Sequence, residues 1–260
     1  MTTLETPRPT KVTYPTTDAA LAFDHVSMQF PDGTLALKNA TFTVHPGEFV
    51  TVVGPSGCGK STLLRIASGL TRHTSGSVTV DRESLGYVFQ DATLLKWRTV
   101  QSNVELMAEL SGVAKDDRRK LAADVIDLVG LRGFESKYPK QLSGGMRMRC
   151  SLARALVMNP NVFMFDEPFG ALDEITRERL NDELLLLFQR QRFAALFITH
   201  SIAEAVFLST RVIVMSGRPG EIVGDFRVPF DYPRAPELRF SPEFAELCGE
   251  VSLALRGAHT

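Results

Sequence analysis

Cysteine, tryptophan, long apolar runs and an excess of either charge are all scarce in this chain, and each shortage closes off a class of protein. Its 260 residues include three cysteines, Cys58, Cys150 and Cys248, far apart in sequence. They show neither zinc-ligand spacing nor an even disulfide framework, so reduced, buried thiols are expected. No stretch approaches the ~18 consecutive apolar residues of a membrane helix. The greasiest segments, Leu184–Phe188 and Ala194–Ile198, are short and flanked by charge. The N-terminus lacks the apolar core of a signal peptide. A cytoplasmic protein follows, unless a membrane partner holds it. Lys plus Arg number 29 and Asp plus Glu 30, a net charge of -1. So even a balance exerts no long-range pull on nucleic acid or anionic lipid, and no nucleic-acid partner is expected. What remains, 44% hydrophobic and 23% charged, is the composition of a soluble globular protein.

Residues 1–18 are rich in Thr and Pro without apolar periodicity and read as a flexible arm. The main domain spans 19–225. Leu21–Phe30, Leu35–Val44, Glu48–Val53, Ser77–Val80 and Leu85–Phe89 read as strands, with Ser61–Gly69 helical. After Gln90 the apolar spacing turns helical over Val100–Leu110, Arg118–Val129 and Met146–Met158. This predicts a helical subdomain over about 91–159, inserted within an α/β core. Val162–Phe165, Phe193–Thr199 and Arg211–Met215 read as strands; Leu180–Gln191 and Ile202–Leu208 read as helices. Strands alternating with helices imply a largely parallel sheet covered on both faces. Residues 226–260 form a short C-terminal extension with a helix over Ser241–Leu255.

The segment Gly54, Pro55, Ser56, Gly57, Cys58, Gly59, Lys60, Ser61, Thr62 matches G-x-x-x-x-G-K-[ST] at every fixed position. About one chance chain of this length in a hundred carries that pattern, so context decides. A buried strand enters the loop and a helix leaves it. Glycines let the backbone wrap so that N–H groups face phosphate oxygens, and the helix adds its positive end. Lys60 can bridge the β- and γ-phosphates and Ser61 can bind magnesium. Further on, the apolar run Val162–Phe165 ends in Asp166 and Glu167. A central parallel strand ends this way where it faces a ligand. Asp166 would hold magnesium through its water shell, and Glu167 could orient or deprotonate a water. Alone, such an acidic strand end is more often merely solvated; downstream of the phosphate loop, the functional reading prevails.

Leu142, Ser143, Gly144, Gly145 and Met146 open a helix. By itself Ser-Gly-Gly reads equally well as a helix-start loop or as a second anion site. The first loop already takes the phosphates in cis, so a second anion site would face the nucleotide of another subunit. With these motifs together, the chain resembles the ATP-binding subunit of an ABC transporter over nearly all of Leu21–Val223. Walker A is Gly54–Thr62 and Walker B Val162–Asp166. The Q-loop glutamine is Gln90, the signature Leu142–Met146, the D-loop Ala171–Asp173 with Asp173 at its end, and the switch histidine His200.

The resemblance implies an α/β P-loop NTPase of RecA-like core, with an antiparallel β subdomain and the inserted helical subdomain. It also implies a homodimer sandwiching ATP and Mg2+ between one subunit's P-loop and the other's signature. Glu167 would poise the attacking water, His200 would hold that water and the γ-phosphate, and Gln90 would contact magnesium and sense a membrane partner. Phe30 stands where the family often has an adenine-stacking Tyr, and the ring face survives the loss of the hydroxyl. Met148 stands where close relatives often have Gln. The segments Leu94–Val100, Val214–Ile222 and Pro236–Phe244 are similar to those of nitrate/sulfonate/taurine-type importers. That implies integral membrane permease subunits as partners, a periplasmic or lipid-anchored solute-binding protein acting indirectly, and a peripheral place on the cytoplasmic face of the inner membrane. The solute, whether nitrate, sulfonate, taurine or a vitamin precursor, is not encoded in this subunit. A soluble ABC ATPase and a regulatory ATP sensor are the alternatives. Trp97, the only tryptophan, either packs in the helical subdomain or lines a groove for the permease.

Overall fold

The structure is a computed structural model that describes residues 19–82 and 84–257. The arm over 1–18 lies outside the described residues. In chain order the elements are β1 (Leu21–Gln29), β2 (Leu35–Val44), β3 (Phe49–Val53), α1 (Lys60–Ala67), β4 (Ser75–Val80) and β5 (Leu85–Val88), then α2 (Val100–Val104), α3 (Leu106–Leu110), α4 (Lys115–Leu128) and α5 (Gly144–Leu156). The second half contains β6 (Val162–Asp166), α6 (Glu174–Gln191), β7 (Ala194–Ile198), α7 (Ile202–Leu208), β8 (Arg211–Met215), β9 (Ile222–Arg227) and α8 (Pro242–Gly257).

The strands form two sheets. One is antiparallel, ordered β2-β1-β4; the other is six-stranded, ordered β5-β6-β7-β3-β8-β9, and parallel except that β9 runs antiparallel to β8. The apolar runs Val162–Phe165 in β6, Ala194–Ile198 in β7 and Val212–Met215 in β8 are explained by burial on both faces. Phe163, Phe165, Phe197, Val212 and Val214 project into a core shared with the helices α2–α7. Their neighbours Val162, Met164, Leu196, Ile213 and Met215 project the other way, onto α1 and the antiparallel sheet. Each strand thus supplies both cores by simple alternation.

Register places the chemistry. Asp166 pairs with Ile198 and Val52 with the same Ile198, so β6, β7 and β3 end at one level. Val88 pairs with Phe165, which brings the end of β5 to that edge too. Gly54, Gln90, Asp166, Glu167 and His200, distant in sequence, therefore leave the sheet along a single C-terminal edge, the place where open α/β sheets bind ligands.

Several elements differ from the sequence expectation. The expected helix Val100–Leu110 divides at Glu105, although Glu105 N–H still donates to Gln101 O (2.9 Å) and Glu109 N–H to Glu105 O (2.8 Å), so the rod is nearly continuous. Helix α6 begins six residues earlier than its apolar periodicity suggests, at Glu174 instead of Leu180. Its first turns are charged and carry an 83% exposed Ile175, and the Asp173 side chain caps it by accepting from Thr176 N–H (3.0 Å). Strand β9 is not predicted by the sequence, because Ile-Val-Gly-Asp-Phe-Arg has weak alternation; its pairing with β8, reinforced by Arg211 Nε to Asp225 Oδ1 (3.0 Å), makes it a strand. Cys58 and Cys150 are buried thiols as expected, whereas Cys248 is only half-buried.

Candidate nucleotide site

The loop between β3 and α1 wraps around its own lysine. Lys60 Nζ donates to Gly54 O and Pro55 O, both at 2.9 Å, and Cys58 N–H donates to Pro55 O at 3.3 Å. Gly57 and Gly59 hold φ of +75° and +109°, values that ordinary side chains resist. At Gly59 a Cβ would also meet Leu37 Cδ2 at 2.7 Å and Ala36 O at 2.9 Å, so β2 lies too close for any other residue. Cys58 is buried, and burial pushes its thiol pKa up.

Beyond the loop lies an open cavity of about 360 Å³, lined by Phe30, Ala36, Ser56, Gly57, Gly59, Lys60, Ser61, Thr62, Glu167 and Arg218. Phe30, an exposed aromatic, lines the same cavity as Lys60, Ser61 and Glu167. Ser61 Oγ donates to Asp166 Oδ1 at 2.8 Å, and Tyr87 OH donates to Asp166 Oδ2 at 3.3 Å. Burial first, then the Asp166 charge, pushes the Tyr87 pKa up, which keeps that hydroxyl a donor. Glu167 sits at φ +45°, at the turn out of β6. Its Oε1 lies 3.9 Å from Lys60 Nζ and its Oε2 lies 3.2 Å from His200 Nδ1. Five sequence-predicted residues therefore form two adjacent polar groups, Lys60–Glu167–His200 and Ser61–Asp166, at the start of α1 and the end of β6.

A magnesium ion fits this donor set. Ser61 and Asp166 offer hard oxygens within hydrogen-bond reach of each other. Among the described residues no group of three or more His, Cys, Asp or Glu side chains is arranged to cage a metal. Few protein ligands, with the remainder from phosphates and water, is how magnesium is usually held beside a nucleotide.

Other predicted residues stand apart. Gln90 is exposed and takes part in no hydrogen bond among the described residues, so its place on the sheet edge is fixed by β5 alone. Tyr87 stacks on Phe89, immediately before it, with centroids 4.2 Å apart. The signature residues and Asp173 do not line the cavity. Leu142 is buried and anchors its loop; Ser143 is exposed and its Oγ accepts from Met146 N–H at 3.2 Å. Arg147 Nη1 closes the loop on Leu142 O at 2.7 Å. The N–H groups of Gly144 and Gly145 have no partner among the described residues. A Cβ on Gly144 would touch Leu172 and one on Gly145 would touch Thr176, so signature and D-loop form one surface patch. Hydrogen bonds from Thr176 hold the Asp173 carboxyl below the usual carboxylate range.

Met148, the departure on α5, is buried and lines a narrow apolar cavity with Val88, Leu152, Phe165 and Phe169. A thioether suits that seam, where a glutamine amide would need partners. Trp97 is 73% exposed, which removes the core alternative. Its loop is built from beneath: buried Asn103 accepts from Leu95 N–H (2.8 Å) and donates to Leu95 O, Arg98 O and Thr99 O (3.0–3.1 Å). Asn103, Tyr87 and Arg218 were not among the sequence-predicted site residues; Tyr87 and Arg218 acquire their contacts from partners distant in the chain, and Asn103 from the loop just before it.

Comparison with known proteins agrees with this geometry. The family model for ABC transporters matches residues 37–170. The chain belongs to the ABC transporter family. Relatives include the nitrate import ATP-binding protein of a Synechocystis strain, 43% identical over 87% of this chain and 90% of that protein. The aliphatic sulfonates import ATP-binding protein of Bacillus cereus is 40% identical over 89% of this chain and 94% of its own length. Among solved structures, a dimeric ATP-binding cassette in a post-hydrolysis state with ADP and Pi superposes with a TM-score of 0.71 at 31% identity, covering 81% of this chain and all of that one. The fold is accordingly that of an ABC ATPase cassette, a P-loop NTPase. Among the described residues no helix is long and apolar enough to cross a membrane.

Proposed function

We propose that this cassette hydrolyses ATP as one of two identical subunits and powers a membrane importer for a small solute of the nitrate, sulfonate, taurine or vitamin-precursor kind. The observation that carries the reading is the polar chain Lys60–Glu167–His200 beside Ser61–Asp166, all at the mouth of one glycine-rich loop. With nucleotide present, Lys60 exchanges its two loop carbonyls for phosphate oxygens, a stronger charge-assisted contact. Ser61 and Asp166 would hold magnesium, which supplies charge neutralisation to the phosphates. Glu167, steadied by His200, orients the attacking water, and Phe30 stacks the base. Catalysis is then positioning and electrostatic stabilisation.

The unpartnered N–H groups of Gly144 and Gly145 support the shared-site dimer: they form an anion-binding helix start on an exposed patch, away from the subunit's own cavity. Gln90, on the sheet edge and seven residues before Trp97, would connect the nucleotide to the permease-facing loop. The exposed Trp97, supported from beneath by Asn103, suits a groove for a cytoplasmic segment of integral membrane permease subunits, since large aromatics concentrate at interface centres. The solute-binding protein would act only through that permease. These partners would place the cassette peripherally on the cytoplasmic face of the inner membrane.

Calorimetry on Lys60→Ala tests the nucleotide reading. Most MgATP affinity and nearly all turnover should disappear, because the phosphates lose the cation held at their end of the cavity. Unchanged affinity would overturn the assignment.

A further inference from the structure

The Walker A loop is gripped from outside by the β8–β9 turn. Ser216 organises that turn: its Oγ donates to Gly217 O or Pro219 O (each 3.0 Å) and accepts from Glu221 N–H (2.9 Å). The turn is then fastened to β2, with Gly220 N–H donating to Ala36 O (2.9 Å), Lys38 N–H to Gly220 O (3.0 Å), and Lys38 Nζ to Glu221 Oε1 (2.8 Å). Gly220 lies against the loop itself: a Cβ there would fall 2.2 Å from Cys58 O. From this anchored turn Arg218 reaches into the lining of the nucleotide cavity and places Nη2 at 3.0 Å and Nε at 3.2 Å from Gly57 O. Gly57 O is its only hydrogen-bond acceptor among the described residues.

The peptide between Gly57 and Cys58 is therefore held at both ends. Its carbonyl accepts from Arg218 and its N–H donates to Pro55 O at 3.3 Å. This matters because Gly57, at φ +75°, has almost no steric bar to rotating that peptide. Rotation would release both bonds and let the loop backbone leave the shape that Gly57 and Gly59 set. An anion cradle depends on a fixed arrangement of backbone donors, so a loop free to rotate that peptide binds phosphate less well. The freedom that lets glycine wrap closely is also a hazard, and a double hydrogen bond from a guanidinium is a direct way to suppress it.

We propose that Arg218 is a positioning residue for nucleotide binding, which holds the Gly57–Cys58 peptide in its anion-binding orientation from the β8–β9 turn. The inference rests on the nucleotide reading above and extends it to a residue outside the recognised motifs. Arg218 is itself exposed, so water competes for its hydrogen bonds and the effect is modest. Arg218 acts on any nucleotide that fills the loop, so ADP and ATP should respond alike.

The experiment is calorimetry of MgADP and MgATP binding to the full chain, with steady-state ATPase kinetics and hydrogen exchange of the nucleotide-free protein. Arg218→Ala should raise both dissociation constants roughly five- to tenfold, and KM should rise by more than kcat falls. Exchange over residues 54–60 should quicken while the rest of the cassette is unaffected. Arg218→Lys should recover part of the affinity, since an ammonium can donate to Gly57 O but not through two fixed nitrogens. If Arg218→Ala does not fold, Arg218→Met, which retains the apolar stem without donors, takes its place with the same expectations. Wild-type affinity for both nucleotides in a folded Arg218→Ala or Arg218→Met protein overturns the proposal, as does a lowered melting temperature with unchanged affinity. Lys60→Ala separates the two levels. If it loses affinity while the Arg218 variants keep theirs, only the role of Arg218 falls; if it also binds normally, the nucleotide reading falls.

Discussion

Replacing Trp97 with alanine should cost little stability and much coupling. An aromatic of this size buries about 150–250 Å² when fully enclosed. With 73% of Trp97 exposed, about 40–70 Å² of that is covered, or ~1–1.7 kcal/mol at ~25 cal/mol/Å². A fully buried tryptophan would instead cost ~3–5 kcal/mol on truncation. The polar framework beneath is untouched, because Asn103 bonds the backbone of Leu95, Arg98 and Thr99, not the indole. Thermal melts should therefore show a fall of about 2–6 °C. As the sole tryptophan, Trp97 should emit at the long wavelength of a solvated indole in the isolated cassette. Basal ATPase should survive in Trp97→Ala, while permease binding and transport are lost. A loss of 3–5 kcal/mol with short-wavelength emission would refute the exposure argument, and full transport by a stable variant would refute the groove.

Two further outcomes follow from the site and its surroundings. Glu167→Gln retains shape and the contact with His200 but loses the base, so turnover should fall by a factor on the order of 10²–10⁴, while ATP now holds two cassettes together. Size exclusion that shows only monomer at high protein and ATP would count against the shared site. Glu204, buried at the start of α7, has its carboxyl pKa raised by burial, against hydrogen bonds from Thr199 and Asn181. A raised folded pKa means that the native state binds the proton more tightly. The contribution of Glu204 to stability is then fully present at low pH and declines as pH rises above its ordinary value of 4.5. Glu204→Gln should remove that decline, so its melting temperature relative to wild type should climb between pH 4.5 and pH 8; a constant difference would show that Glu204 is not the group responsible.

Motifs with local causes were legible in the sequence. The glycine loop at 54–62 needs φ values and N–H groups that its own residues supply, and the apolar run into Asp166 announces a doubly buried strand by its lack of alternation. The family resemblance then placed Gln90, Ser143 and His200, which are ambiguous one at a time. Features made by distant partners were not legible. The sequence shows Met148 where close relatives often have Gln, and only its apolar surroundings at the seam give the reason. The start of α6 depended on a cap at Asp173 that charged first turns concealed, and β9 became a strand only by pairing with β8. Asn103, Tyr87 and Arg218 are ordinary polar residues in the text. Their functions lie in bonds to Leu95, Asp166 and Gly57; the last two exist only after β-sheet register has brought separate segments to one edge, and the first only after the loop before α2 folds back on Asn103. The sequence alone determined which chemistry the chain carries, because glycine conformations, charges and hydroxyls belong to residues. Tertiary structure decided what holds that chemistry in place, because positioning is a relation between residues that no single segment contains.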